Sequence, residues 1–348
     1  MSPFHKLSIK NIIQETATAV SVVFDVPKNL KSKFSFKAGQ YITIKANISG
    51  QEVRRAYSIC ASPESGELKV TIKAVENGIF SVYATSELKA GDVLDVHEPE
   101  GKFILEPASG KNYIAFAAGS GITPVLSMVK TVLQGNTNAT FTLIYCNKSE
   151  IDTIFKNELD QLKNNFPQLF NLHYIYSRQN VEGSLFGRID EGFTNYFVKN
   201  IYKNIAFDSA YLCGPEEMIN TVSSTLQNSG FDKSKILFEL FTASTDEENT
   251  DQIKEGETEV TVLLDDEEIS FNMQQTDNIL AAALRNDIDA PYSCQGGICS
   301  SCLAKVTEGT AVMTKNSILT DAEVKDGFIL TCQAHPTTPK ISIDYDDV

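Results

Sequence analysis

Three cysteines and two adjacent glycines fall within ten residues, SCQGGICSSC at 293–302, in a chain of 348 residues with only seven cysteines. Four residues separate Cys294 from Cys299, two separate Cys299 from Cys302, and a further thiol, Cys332, follows in LTCQAH. Thiolates are the usual ligands of iron–sulfur clusters, and C-x4-C-x2-C with a distant fourth cysteine is a [2Fe–2S] spacing. Adjacent glycines at 296 and 297 let the backbone fold closely around such a centre. Zinc is the competing occupant, but its sites ordinarily show paired C-x2-C units or histidines. Only one such unit is present, with no histidine beside it. An odd number of cysteines, three of them clustered, suits metal ligation better than a disulfide framework.

Other stretches carry phosphate or redox chemistry. AAGSGITPVLSM (117–128) places a glycine-rich turn between an apolar run and a helix, where free amides and the positive end of the helix dipole favour a phosphate. A full G-x-G-x-x-G is missing, so the glycines alone are a weak dinucleotide signal. CGP (213–215) and YSRQN (176–180) close two further apolar runs, and strand ends in open α/β sheets are where ligands bind. The four histidines, His5, His97, His173 and His335, are scattered, with no H-E-x-x-H and no G-x-S-x-G elbow. Metallohydrolase and serine-nucleophile chemistry are therefore not expected.

PYSCQGGICSSCLAKV, together with ILTCQA, resembles the loop of plant-type ferredoxins. That resemblance implies Cys294, Cys299, Cys302 and Cys332 as ligands of a [2Fe–2S] cluster in an α+β, β-grasp domain. Cys60, Cys146 and Cys213 are then simply small buried residues. RAYS (55–58) resembles the R-x-Y-S signature of the ferredoxin–NADP reductase family. It implies Arg55 on the flavin pyrophosphate, Tyr57 against the isoalloxazine and Ser58 reaching its N5 region. NGIFS (77–81) resembles the family's G-x-x-S phosphate turn, with Gly78 opening a helix and Ser81 as a second donor. PEGKF (99–103) resembles its P-x-G-x-F turn, and the two turns favour FAD over FMN. Gly119, Gly121, Ile122, Thr123 and Pro124 match the family's G-x-G-I-T-P, and Cys213, Gly214 and Pro215 its nicotinamide-side motif. FELF (238–241) resembles the segment beside the flavin, implying Glu239 and Phe241 there. The catalytic set is then Tyr57, Ser58 and Glu239. Arg178, with Ser177 as a second contact and Arg188 in support, suits a 2′-phosphate, so NADPH is expected and NADH is the alternative.

These residues need three kinds of scaffold. Residues 1–107 read as short alternating strands (19–26, 40–48, 67–75, 91–99), an antiparallel β-barrel for the flavin. Residues 108–241 alternate apolar runs with amphipathic segments such as EIDTIFKNELDQLKNNF (150–166), an α/β parallel sheet for the nucleotide. TASTDEENTDQIKEGE (242–257) has almost nothing to bury and reads as a linker. Residues 258–348 open with a hairpin signal, TEVTVLLDDEEISFNM, and include one good helix, NILAAALRNDI. This order resembles the reductase components of multicomponent oxygenases, those of phenylacetyl-CoA ring epoxidation among them.

The net charge of −15 argues against a nucleic-acid binder, and the last 91 residues hold 15 acidic and 5 basic side chains. That field serves solubility or a basic partner. The longest mostly apolar region, 113–129, is interrupted by Gly, Ser, Thr and Pro, and the start lacks a basic patch followed by an apolar stretch. Neither a membrane span nor a signal peptide is expected, and the chain reads as cytoplasmic. The implied function is electron transfer from NADPH through FAD and the cluster to an oxygenase or hydroxylase component. Its rivals are a reductase for another acceptor, such as a desaturase or soluble carrier, and a non-catalytic redox sensor.

Overall fold

The computed structural model describes residues 4–135, 138–241, 253 and 255–348. The chain divides into two compact units, Phe4–Phe241 and Thr242–Val348. Most of the linker expected at 242–257 lies outside the described residues.

The first unit begins with β1 (His5–Thr16), β2 (Ala19–Asp25), β3 (Tyr41–Ile48), β4 (Gln51–Ser58), β5 (Leu68–Lys73) and β6 (Val93–Val96). They form an antiparallel sheet in the order β4-β3-β6-β1-β2-β5. Its two edges meet just beyond β4, where Ile59 bridges to Val70 and the Cys60 N–H donates to the Lys69 carbonyl at 2.9 Å. The sheet thereby closes into the barrel that the alternation implied. Leu7, Val22, Ile42, Ile44 and Ile72 fill the inside, and each buried side chain of this size contributes roughly 1.5–3 kcal/mol. A short helix, α1 (Ile79–Ser86), inserts Phe80 and Ala84 into the same core.

The same unit continues with β7 (Asn112–Ala118), α2 (Ile122–Gln134), β8 (Thr140–Asn147), α3 (Lys156–Asn165), β9 (Phe170–Tyr176) and β10 (Leu185–Phe186). It ends with α4 (Glu191–Asn195), β11 (Ser209–Cys213), α5 (Glu216–Asn228) and β12 (Ile236–Glu239). All six strands run parallel in the order β10-β9-β8-β7-β11-β12. The order reverses between β7 and β11, so the ends of those two strands form the crevice where such sheets take ligands. Tyr113 to Ala117 are all buried, as a strand covered on both faces requires. α3 starts later than the amphipathic pattern from residue 150 suggests. Buried Phe155 has φ 62°, a left-handed conformation that ends the preceding turn and restarts the chain as helix at Lys156.

In the second unit, β13 (Glu257–Leu264) and β14 (Glu267–Gln274) form the expected hairpin. Its two turn residues, Asp265 and Asp266, both have positive φ, the geometry that a tight two-residue hairpin turn needs. α6 (Ile279–Arg285) is capped by the Asn278 side chain, which accepts the Ala281 N–H at 2.8 Å. The remaining elements are β15 (Leu303–Glu308), β16 (Ala311–Met313), α7 (Asp321–Lys325), β17 (Phe328–Leu330), β18 (Ala334–Pro336) and β19 (Lys340–Asp344). A mixed sheet in the order β14-β13-β19-β15-β17 shares one core with α6, and β16 pairs with β18. Among the described residues no helix is long and apolar enough to cross a membrane.

Candidate functional site

β4 delivers Arg55, Tyr57 and Ser58 to one end of the barrel. Arg55 is exposed, and its guanidinium donates to the Arg54 carbonyl at 2.7 Å. The half-buried Tyr57 ring lies 5.6 Å from that of Phe80, and burial pushes its phenol well above the usual range. Ser58 is buried, and its hydroxyl donates to Glu239 Oε2 at 2.8 Å across 181 residues of sequence. The barrel and the end of β12 are joined at this bond. Burial pushes the Glu239 carboxyl up to about 8, against the lowering effect of the Ser58 hydroxyl. It therefore holds a proton at neutral pH.

Glu239 sits in register with Cys213 on the neighbouring β11. The Cys213 thiol is fully buried and pushed well above its ordinary value, first by burial and then by the charge of Glu239. Gly121 faces the same spot. A Cβ there would lie 2.1 Å from the Cys213 carbonyl oxygen, so only glycine lets the Gly119–Gly121 turn approach the 213–215 turn. Thr123 and Pro124 are buried in the first turn of α2, with the Thr123 hydroxyl donating to the Ser120 carbonyl at 3.0 Å. Gly214 follows Cys213, and Pro215 caps α5. Ser58, Glu239, Cys213 and the glycine turn thus converge at the strand-order reversal. Phe241, 39% exposed, ends the unit.

The other candidates lie around this centre. Gly78 caps α1, but the Ser81 hydroxyl is occupied inside the turn, accepting the Val75 N–H at 3.2 Å and donating to the Gly78 carbonyl at 3.3 Å. First-turn amides of α1, which have no partner within a helix, are the donors left for a phosphate. Phe103 of PEGKF is buried edge-on against Tyr211, with ring centroids 5.7 Å apart. Ser177 and Arg178 follow β9 on the same edge of the sheet. The Ser177 N–H donates to the Asn147 carbonyl and that of Arg178 to the Lys148 carbonyl, both at 2.9 Å, while the Arg178 and Arg188 side chains are exposed.

Two residues escaped the sequence reading. Lys73, at the end of β5, brings Nζ to 3.7 Å from where a Gly119 Cβ would sit. Burial and then the charge of Lys148 hold its ammonium pKa down. The hydroxyl of fully buried Tyr145 donates to the Gly119 carbonyl at 2.9 Å and pins the turn. Neither had a usable signal, since one reads as the polar end of a strand and the other as an aromatic in an apolar run.

In the second unit, the 293–302 loop folds without regular secondary structure. The Gly297 backbone is left-handed, at φ 69°, and a Cβ there would lie 2.8 Å from the Lys315 carbonyl oxygen. Gln333 Nε2 donates to the Gln295 carbonyl at 3.1 Å, tying the loop to the Cys332 segment. The thiols fall into two pairs. Cys299 Sγ lies 3.1 Å from Cys294 Sγ, and the Cys302 thiol is hydrogen-bonded with Cys332. The hydrogen bond from Cys299 and the amides of Gly296, Ile298 and Cys299 hold the Cys294 thiol well below its ordinary value despite burial. All seven cysteines are free, and Cys60, Cys146 and Cys213 are buried.

The donor set fits a [2Fe–2S] centre. Two thiol pairs, 294/299 and 302/332, match a centre whose two irons would each take two thiolates. Three buried polar atoms without partners, Ser293 Oγ, His335 Nδ1 and Tyr345 Oη, belong to this unit. Ser293 adjoins Cys294, and Tyr345 shares a core with Cys302 and Cys332. The first unit offers a flavin the barrel end at Tyr57 and a nucleotide the glycine turn.

Comparison with known proteins gives the same three parts in the same order. Residues 6–104 match the oxidoreductase FAD-binding domain, 116–224 the oxidoreductase NAD-binding domain, and 262–337 the 2Fe-2S iron-sulfur cluster binding domain. The chain belongs to the family of NAD(P)H-dependent ferredoxin reductases of oxygenases, electron-transfer oxidoreductases with FAD, NAD and [2Fe–2S] domains. It is 37% identical to a component of the 1,2-phenylacetyl-CoA epoxidase of Escherichia coli (strain K12), over 99% of each chain. It is 30% identical to the ferredoxin reductase component of the 3-ketosteroid-9-alpha-monooxygenase of Rhodococcus rhodochrous, over 97% of this chain and 96% of that one. In fold it resembles phthalate dioxygenase reductase, with a TM-score of 0.62 at 23% identity over 98% of both chains.

Proposed function

We propose that the protein takes electrons from NADPH and passes them, through FAD in the barrel and a [2Fe–2S] cluster on Cys294, Cys299, Cys302 and Cys332, to an oxygenase. Domains at 1–107, 108–241 and 258–348 each supply one site. Bound in the barrel, FAD would supply the chemistry that links a two-electron hydride donor to a one-electron centre. The observation that carries this reading is the 2.8 Å bond from Ser58 to Glu239. It joins the flavin-side strand to the nicotinamide-side sheet beside Cys213.

The chain's own groups have distinct tasks. Tyr57 would face the flavin ring, and the Ser58 hydroxyl is oriented by Glu239, which stores a proton on its carboxyl below about pH 8. Cys213, kept as a thiol by burial, packs rather than attacks. Exposed Arg178 holds the 2′-phosphate that distinguishes NADPH from NADH, with Ser177 beside it. The acceptor best supported is a phenylacetyl-CoA ring epoxidase, because the similarity to the Escherichia coli component covers both chains almost completely. A second reading, a steroid-type monooxygenase, draws on the relative at 30% identity.

Anaerobic titration with NADPH tests the electron path. The flavin absorbance should bleach, and an EPR signal of a reduced [2Fe–2S] centre should develop. A flavin that bleaches with no cluster signal would overturn the path. Oxygenase components of the two systems, each supplied with the reduced protein, then decide the acceptor by product formation.

A further inference from the structure

One face of α2 is polar where it meets the barrel. Ser127, fully buried, donates its hydroxyl to the Ala61 carbonyl at 2.6 Å. Lys130, 9% exposed, donates from Nζ to the Cys60 carbonyl at 3.4 Å. One turn further, Gln134 Oε1 accepts the Ser62 hydroxyl at 3.0 Å. Positions 127, 130 and 134 share one helix face, and it grips three consecutive residues, 60–62. Those residues directly follow Tyr57, Ser58 and Ile59. At its other end α2 opens from the Gly119–Gly121 turn.

The charge at this seam is also shared. Lys130 Nζ pairs with Glu158 Oε1 of α3 at 2.5 Å, and Lys69 Nζ of β5 approaches Glu158 Oε2 at 3.9 Å. Both lysines are largely buried while Glu158 is 36% exposed, so the cluster is partly solvated and weak as a stabiliser. What such a pair provides is registry, because a charge out of place is costly while a displaced methyl group is not. The seam uses other residues than the Ser58–Glu239 bond, and it fastens the chain just past the flavin strand to the phosphate helix.

We infer that Ser127 and Lys130 are positioning residues that set the approach of the nicotinamide to the flavin, an assignment that rests on the hydride-transfer reading above. Their side-chain polar contacts are with Ala61, Cys60 and Glu158, outside the set assigned above to nucleotide and flavin. They hold α2 at a fixed offset from the strand bearing Tyr57 and Ser58, and a misplacement of about 1 Å at the reacting atoms costs on the order of a hundredfold in rate.

The test uses the full chain loaded with FAD and cluster, as Ser127→Ala, Lys130→Met and Lys130→Arg. FAD content and NADP+ affinity should stay within about threefold of wild type, since binding contacts are intact. Flavin reduction at saturating NADPH should slow about tenfold or more in the first two variants. The primary isotope effect with 4-deuterated NADPH should rise, amide exchange at residues 60–62 should quicken, and Lys130→Arg should recover most of the rate. Ser127→Ala leaves every charge in place and carries the test if Lys130→Met does not fold. Faster exchange or a lower melting temperature with unchanged rate and isotope effect would make the seam purely structural and overturn the inference. A wild-type chain that NADPH does not reduce would instead overturn the functional reading itself.

Discussion

Two cysteines on the two units meet opposite fates. Cys213 lies in an apolar crevice beside a carboxyl group, and both burial and that neighbour favour the protonated thiol. Cys294 lies in a loop whose amides turn inward, and those N–H groups, with the Cys299 thiol, favour the thiolate. Both sulfurs are largely enclosed, and the difference lies in what faces them: the Cys299 thiol first and then the loop amides lower Cys294, whereas Cys213 has only burial and a carboxyl group. A strand end spends its amides on the sheet, while a loop with left-handed residues at Gln295 and Gly297 has amides free for sulfur. The first region keeps protons and excludes charge, as a hydride pocket requires. The second favours the thiolate at Cys294, while the pairing of Cys299 with Cys294 and of Cys302 with Cys332, and then burial, push the Cys299 and Cys302 thiols up.

The largest expected effect comes from breaking the second region. Cys299→Ser removes one member of the 294/299 pair, leaving one iron position with a single thiolate. The variant should purify without the visible absorbance and EPR signal of the cluster, yet with flavin bound and reducible by NADPH. NADPH-driven ferricyanide reduction should persist while transfer to cytochrome c or the oxygenase is lost. Loss of flavin-level activity as well would show that the two regions are not separable.

Within the first region, Arg178 is the next lever. A guanidinium on a dianionic phosphate makes charge-assisted contacts worth roughly 1.5–3 kcal/mol. Arg178→Ala should therefore weaken NADPH by about ten- to a hundredfold and leave NADH almost unchanged. An unaltered preference ratio would take Arg178 out of the site and leave Lys73, near the glycine turn, and its neighbour Lys148 to account for phosphate binding.

Glu239 offers an effect on stability, not on turnover, with a definite sign. In the folded chain its carboxyl titrates near 8, against an ordinary value of 4.5. Between those values the folded state keeps the proton and the unfolded state has lost it, so stability from this group falls as pH rises. Glu239→Gln removes the dependence. Its melting temperature relative to wild type should climb by about 10 °C or more from about pH 4.5 to about pH 8. A rise from 4.5 to about 8 corresponds to roughly 5 kcal/mol, and one kcal/mol is worth roughly 2–4 °C. A difference that stays flat with pH would place the carboxyl in water.

The architecture was legible because each part has its own rhythm: alternation in the barrel, apolar runs between amphipathic helices in the sheet, and an Asp-Asp turn in the last hairpin. The glycine turn and the cysteine loop were legible because their chemistry constrains spacing. What could not be read was contact made by single polar residues in otherwise apolar runs. Ser127 and Lys130 look like ordinary positions of a helix, and Tyr145 like any core aromatic. The start of α3 was missed for a related reason, since nothing local marks Phe155 as left-handed and only its burial in the tertiary fold puts it there.

The last contrast is one of charge, and its expected effect is the most modest. The last 91 residues carry a net −10 in side chains, two thirds of the whole chain's −15. Four thiolates around an oxidised cluster, as proposed for this unit, would add to that field. Electrons tunnel efficiently only over short distances, so an acceptor must dock near the 293–302 loop. An acidic surround then speeds encounter with a basic partner, and this steering is screened over about 8 Å at physiological salt. Transfer to the oxygenase should slow by several-fold between low and moderate ionic strength. Reduction of the flavin by NADPH, assigned in the proposed reading to Arg178 and the first unit, should follow a different salt profile. Stopped-flow rates for the partner step that stay flat across the same range would assign the acidity to solubility, and the two regions would then differ in chemistry but not in the partners their fields select.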